Sequence, residues 1–193
     1  MMELSIQKLA NEFSKLPGVG KRTALRFAYK IVEMDGADVD LLVSALVEVK
    51  DNVRHCEICG NFCEGEICGI CETRKEDVIC VVKDPKDIIA IENMGSFGFR
   101  YHVLFGTISP LKNISPSDLK VRELLSRAQN ASEIILALPS DVEGDATGVY
   151  IAKLLKPLGI KVTRISQGIS IGQDIEYADQ ITLQRAFADR REF

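Results

Sequence analysis

The period of the apolar positions changes along this chain. Leu4, Leu9, Phe13 and Leu16 recur at roughly helical spacing, and Leu25, Phe27, Ile31 and Val32 follow them. A third apolar run extends from Leu41 to Val53, so residues 1–54 read as a helical domain. Residues 55–73 carry no clear period; they are rich in Cys and Gly and too few to bury a core of their own. Beyond them the pattern alternates. VICVV (78–82), YHVLF (101–105), EIILAL (133–138) and KVTRI (161–165) read as strands, with helical patterns at 85–94, 117–129 and 145–156. Strands alternating with helices predict crossover connections and a mostly parallel sheet. The fold class is α/β and multidomain.

Composition narrows the setting. The 193 residues are 46% hydrophobic and 27% charged, an ordinary balance for a chain with a real core. No apolar run approaches the ~20 residues of a membrane helix. The opening MMELSIQKLANEF lacks the basic end and apolar block of a signal peptide, so the expectation is a cytoplasmic protein without a membrane partner. In a reducing compartment its six cysteines favour metal ligation over disulfides. The net charge of −4 excludes a globally basic nucleic-acid binder but hides a local contrast. Lys15, Lys21, Arg22, Arg26 and Lys30 fall in residues 15–30 with no acid among them, whereas 31–51 carry six acids against Lys50. Charge alone does not separate a solvated basic helix face from a phosphate-binding patch.

The segment Leu16-Pro17-Gly18-Val19-Gly20-Lys21-Arg22 adds geometry to that charge. Pro17 ends the first helix near Leu16, because the residue before proline is pushed out of the α region. Gly18 and Gly20 permit a tight turn and leave backbone N–H groups uncovered, and a second helix begins at Thr23 and Ala24. Amides at a helix N-terminus suit an anion. The string LPGVGKRTA resembles the helix-hairpin-helix of DNA repair proteins, which implies sequence-independent contact with nucleic-acid phosphates. The bland alternative is a turn that only packs two helices.

Cys56-x2-Cys59 and Cys68-x2-Cys71 are two knuckles separated by eight residues. Four thiolates make a closed tetrahedral zinc site with no open position for catalysis, so one structural Zn²⁺ per chain is expected. Gly60 and Gly69 supply the small residues such turns favour. Cys63 is offset from both knuckles and reads as a bystander, and Cys80, on an apolar strand, as a small core residue.

The third block places Lys83-Asp84-Pro85-Lys86-Asp87 after its first strand and Pro139-Ser140-Asp141-Val142-Glu143-Gly144-Asp145 after a later one. Acids at the ends of neighbouring parallel strands converge on one crevice, where two or three would hold Mg²⁺. The arrangement resembles the Toprim domain of topoisomerases and primases, which pairs a glutamate after the first strand with a later D-x-D. Asp141-Val142-Glu143 follows the second motif approximately, but Lys83 stands where the glutamate is expected. A lysine there is expected to pair with Asp141 or Glu143 in the cation's place, which disfavours a Mg²⁺-dependent nuclease or primase-like enzyme. Asp145 is expected near the start of the following helix.

Hairpin helices, four-cysteine finger and Toprim-like sheet occur in this order. With VEGDATGVYIAKLLKPLGIKVTRI and the ending GQDIEYADQITLQRAFADRREF, the chain resembles the bacterial recombination mediator family RecR over essentially its whole length. The resemblance implies a helix-hairpin-helix domain at 1–54, a four-cysteine zinc finger at 55–73, a Toprim domain at 78–172 and a Walker-B-like tail at 173–193 around Asp174 and Glu176. It implies a non-enzymatic, ring-forming DNA clamp, a dimer or tetramer, that works with RecO or RecF to load RecA on single-stranded or gapped DNA. Gly18, Gly20, Lys21 and Arg22 would face DNA, flanked by Lys15 and Arg26 of the same basic stretch. Cys56, Cys59, Cys68 and Cys71 would bind zinc, and Asp141 and Glu143 would belong to a partner-docking Toprim surface. The expected location is cytoplasmic and nucleoid-associated. No G-x-x-x-x-G-K-[ST] motif is present, so the tail makes no case for ATP hydrolysis.

Overall fold

A computed structural model describes residues 4–95, 97–166, 168–169, 171–190 and 192. Met1, Met2 and Glu3 of the opening pattern and Arg191 and Phe193 of the tail lie outside the described residues. The chain divides into two compact units, Met1–Val53 and Arg54–Phe193.

The first unit contains helices α1 (Leu4–Phe13), α2 (Lys21–Glu33) and α3 (Gly36–Asn52). α1 and α2 meet over the small side chains of Ala10, Ala24 and Ala28, which let the two backbones approach, and Ile6, Leu9, Phe13, Val19 and Leu25 close the contact. Phe13 and Phe27 meet edge to face at 5.7 Å between ring centroids. α1 ends at Phe13, three residues before the position expected from Pro17. Ser14 N–H still donates to Ala10 O, but Lys15 and Leu16 N–H donate to Glu12 and Phe13 O, a tightening of the last turn that prepares the reversal. Leu16 thereby leaves the apolar face and is half exposed. α3 buries none of its residues, and Leu41, Leu46 and Val49 stand more than 60% exposed.

The second unit opens with a small antiparallel pair, β1 (Arg54–His55) and β2 (Phe62–Cys63), followed by α4 (Gly69–Thr73). Then come β3 (Val78–Val82), α5 (Pro85–Glu92), β4 (Arg100–Val103), α6 (Val121–Ala128), β5 (Glu133–Ala137), α7 (Val142–Leu155), β6 (Lys161–Arg164) and α8 (Gln180–Ala188). Among the described residues the main sheet runs β4-β3-β5-β6, every pair parallel. The alternation on β3 sends Ile79 and Val81 into a core with Leu124, Ile134, Leu136, Ile151 and Leu155. Cys80 and Val82 point to the other face, against Ile88, Tyr101 and Val103. Burial on both faces explains why these strands read as continuous apolar runs.

Local chemistry sets the element ends that differ from expectation. The strand expected to reach Phe105 stops at Val103, because Phe105 turns into the left-handed region at φ +61. The helix expected from 117 is a short 3₁₀ turn, Pro116–Asp118, closed by reciprocal Ser115–Asp118 bonds, before α6 begins. α7 starts three residues earlier than expected because Asp141 caps it. Two glycines bring α7 onto the sheet. A Cβ on Gly148 would sit 3.6 Å from Leu136, whereas one on Gly144 would overlap the carbonyl oxygen of Pro139. Since that neighbour is backbone, Gly144→Ala is expected to destabilise the protein by about 3 kcal/mol, read as a lower urea midpoint at unchanged slope, while Gly148→Ala costs less.

Candidate nucleic-acid interface and metal centre

Between α1 and α2 the chain reverses through Gly18, whose φ of +78 calls for glycine, and Val19 N–H closes the turn on Leu16 O at 3.1 Å. Gly20 is the N-cap of α2 with extended backbone, φ −76 and ψ 164, and no side chain caps the helix. A Cβ on either glycine would meet nothing within 4 Å. The backbone of Gly20 needs no glycine and no neighbour excludes a side chain, so the space over it is open. Lys21, Arg22 and Arg26 make no ion pair among the described residues. Arg22, Arg26 and Lys30 repeat every fourth residue and line one hollow on α2 with Leu25, Tyr29 and Glu33. Lys15 instead pairs with Glu12 at 2.6 Å, and Lys30 with Glu33 at 3.8 Å.

The finger gathers its thiols as the spacing implies. The Sγ atoms of Cys56, Cys59, Cys68 and Cys71 all lie within 4.8 Å of one another, and each residue is buried. Cys68 N–H donates to Cys56 Sγ at 3.3 Å and Asn61 N–H to Cys59 Sγ at 3.4 Å, contacts that favour thiolate. Burial works against the Cys56 thiolate, yet the N–H groups of Cys59, Cys68 and Ile58 outweigh it and hold Cys56 down at about 7. Hydrogen bonding to Cys71 and then burial push Cys59 up, and burial pushes Cys68 up to about 11. Thiols crowded in this way cannot all ionise without a cation among them, and the donor set fits one Zn²⁺. Gly60 adopts φ +81 with no room for a Cβ, which would lie 2.9 Å from the Phe105 ring. Gly69, in contrast, opens α4 and needs no special backbone. Cys63 stays outside the four and donates to Gly65 O at 2.9 Å, while Cys80 is buried on β3 with its thiol pushed up to about 12.

The acids of the third block are engaged individually. Asp141 caps α7 by accepting from Gly144 N–H at 2.7 Å. Glu143 accepts from Ser109 Oγ at 2.5 Å, Thr107 Oγ1 at 3.3 Å and Lys112 Nζ at 3.2 Å, and the Ser109 and Lys112 bonds hold its carboxyl below the usual range. Lys83 therefore pairs with neither Asp141 nor Glu143, contrary to expectation. It makes no ion pair among the described residues, because capping and Lys112 have already claimed the two acids. Asp84 and Asp87 form a capping box at the start of α5. Asp145 faces the cations of α8 and β6, Arg185 and, at 3.0 Å, Arg164. Among the described residues the four cysteines are the only group of three or more Cys, His, Asp or Glu placed to share a metal. Asp174 is the N-cap of a 3₁₀ turn, Ile175–Tyr177, that contains Glu176, and both acids are exposed.

Family models match this order of parts. A RecR helix-hairpin-helix model matches residues 6–50, a RecR four-cysteine zinc finger model 53–72, a Toprim domain model 77–166 and a RecR C-terminal model 168–191. Recombination protein RecR of Thermobifida fusca (strain YX) is 49% identical over 99% of this chain and 98% of its own length. Recombination protein RecR of Staphylococcus aureus (strain MRSA252) is 48% identical over 97% of this chain and 96% of its own. The chain belongs to the RecR family. It is accordingly a recombination-repair protein with helix-hairpin-helix, four-cysteine zinc finger and Toprim parts, and no helix among its described residues is long and apolar enough to cross a membrane.

In this RecR chain one residue that the sequence left unmarked joins finger to sheet. Arg127 of α6 donates through Nε to Glu76 at 2.5 Å. Its Nη1 reaches Ile58 O of the first knuckle at 3.1 Å, Tyr101 O at 2.8 Å and His102 Nδ1 at 3.0 Å, and its Nη2 is buried without a partner among the described residues. Arg100 also reaches Glu76, and Arg74 pairs with Glu92, whose carboxylate accepts the Tyr101 hydroxyl. His102, 2% exposed, accepts from Arg127 at Nδ1, so Nε2 carries the proton and donates to Lys120 O at 2.7 Å. Burial pushes His102 down to about 4, and the Arg127 charge acts the same way. Between that value and the ordinary 6.5 the unfolded chain binds more protons, so this group's stabilisation is complete above about pH 6.5 and is lost as pH falls toward 4. A loss of about 3 kcal/mol is expected over that window in urea titrations, with a smaller fall for His102→Gln.

Proposed function

We propose that this RecR-family chain is a non-enzymatic DNA clamp of recombinational repair, acting with RecO or RecF to help load RecA on single-stranded or gapped DNA. The observation that carries the reading is the hairpin: an uncapped helix start at Gly20, open space over both glycines, and Lys21, Arg22 and Arg26 without acidic partners among the described residues. N–H groups at a helix N-terminus beside unpaired cations recognise a phosphate without reading bases. Gly18 and Gly20 permit the approach, Lys21, Arg22 and Arg26 contribute charge, and Lys15, tied to Glu12, contributes less.

The exposed apolar surface of α3, with Leu41, Leu46 and Val49 in solvent, supports a homo-oligomer, and a ring would place several hairpins on one DNA. Linear DNA would escape such a ring by its ends, and a closed circle would not. Asp141 and Glu143 lie at the start of α7, where Glu143 offers a carboxylate for partner docking and Asp141 acts through the cap. A catalytic role is disfavoured by Lys83 in the place of the Toprim glutamate. A cytoplasmic, nucleoid-associated location follows from this role.

Fluorescence anisotropy across a salt series tests the hairpin. Lys21→Ala/Arg22→Ala is expected to bind DNA more weakly and to lower the slope of log K against log salt by about 1.5, two phosphate contacts' worth. An unchanged slope assigns the hairpin to packing alone. Leu46→Asp is expected to reduce the mass measured by light scattering and to weaken DNA binding more than its distance from the hairpin in sequence suggests.

A further inference from the structure

The zinc knuckle borders a hollow of about 420 Å³ that neither the hairpin nor the acids of α7 use. Its walls are His55, the knuckle from Cys56 to Gly60, His102, Val103 and Phe105, with Lys120 at the N-cap of α6 and Glu123 on it. Three aromatic rings meet at this place. His55 stacks on Phe62 at 5.0 Å between centroids and meets Phe105 edge-on at 4.8 Å, and His55 Nδ1 lies 3.1 Å from Gly60 O. Phe62 is 51% exposed and Phe105 39%, so the rings are presented rather than buried. Phe105 holds its ring there from a left-handed backbone at φ +61, a conformation a bulky residue seldom adopts and one that collects at binding sites.

The charge around the rings selects the occupant. Glu57 and Glu123 line the hollow against Lys120, and Lys120 is already paired with Glu123 at 2.9 Å. Glu57 N–H bonds Glu66 O, and neither Glu57 nor Glu66 has a side-chain hydrogen bond or ion pair among the described residues. Arg54, the neighbouring cation on β1, lies across from Cys63. Residues 56–77 carry six acids against Arg74 and Lys75, and Arg74 is taken by Glu92. A phosphodiester would meet net negative charge here, whereas a guanidinium finds ring faces to stack on and a free carboxylate to bond.

We propose that His55, Phe62, Phe105 and Glu57 form a docking site for an arginine side chain of a partner protein, separate from the hairpin's DNA contacts. The guanidinium lies over the exposed rings and donates to Glu57. The test is a titration of the zinc-loaded full chain with the peptide Ac-Gly-Arg-Gly-Arg-Gly-NH2, its lysine counterpart and a short oligothymidylate, following the Phe62 and Phe105 ring resonances. Saturable ring shifts with the arginine peptide, weaker ones with the lysine peptide, and affinity lowered about threefold in both Phe62→Ala and Glu57→Gln are expected. Both substitutions fall at exposed positions, and zinc content verifies the fold. Absence of saturable shifts, equal affinity in the variants, or stronger ring shifts with oligothymidylate overturns the proposal, the last in favour of a base-stacking surface.

Discussion

A guanidinium withdrawn from water must find its acceptors in the protein, and in the second unit that demand falls on Arg127. Its acceptors come from Glu76, Ile58, Tyr101 and His102, which lie on the approach to β3, the first zinc knuckle and β4. Loss of any of these positions would strand a buried charge, so they are fixed together. The same junction is crossed by Val103 N–H, which donates to Cys59 O at 2.8 Å, and by the Phe105 ring over the bare Gly60. Zinc closes the finger on itself, and Arg127 holds the closed finger on the sheet. The two constraints are complementary, because a thiolate cage without an anchor would leave residues 55–73 a loose appendage.

The hairpin and the finger differ in whether their polar groups are open or enclosed. The finger turns N–H groups inward to sulfur, a closed arrangement around its four thiols. The hairpin leaves the first turn of α2 without a side-chain cap and keeps three cations unpaired among the described residues, an open arrangement. Glu143 stands between the two: two hydroxyls and Lys112 hold its carboxylate, yet its side chain is still 25% exposed. Lys83, just past the end of β3, is left without an ion pair among the described residues.

Periodicity made the helices and parallel strands legible, because strands buried on both faces must be apolar throughout and helices repeat their apolar face. The thiol cage was legible for a similar reason, since spacing alone brings two knuckles to one ion. Element ends were less so, although Asp141 three residues before Gly144 is a readable cap that places the start of α7 where it is found. Arg127 was not legible. One basic residue in an amphipathic helix looks like a solvent-facing charge, and only the approach of three distant segments makes it internal. The expected partnership of Lys83 failed because local capping and Ser109, Lys112 and Thr107, all remote in sequence, took the acids first.

The outer strands of the sheet carry a consequence for how the molecule behaves in a crowd. An unpaired strand edge is a template on which another chain can add itself and begin aggregation. On one side, β4 gives Val103 N–H to the knuckle, so the finger occupies part of that edge. On the other, β6 is four residues long, begins with Lys161 bound to Glu133 and ends with Arg164 bound to Asp145. Short length and fixed charges at both ends make strand addition unrewarding there. A clamp that must meet copies of itself, as proposed, thus keeps its sheet closed to indiscriminate self-association.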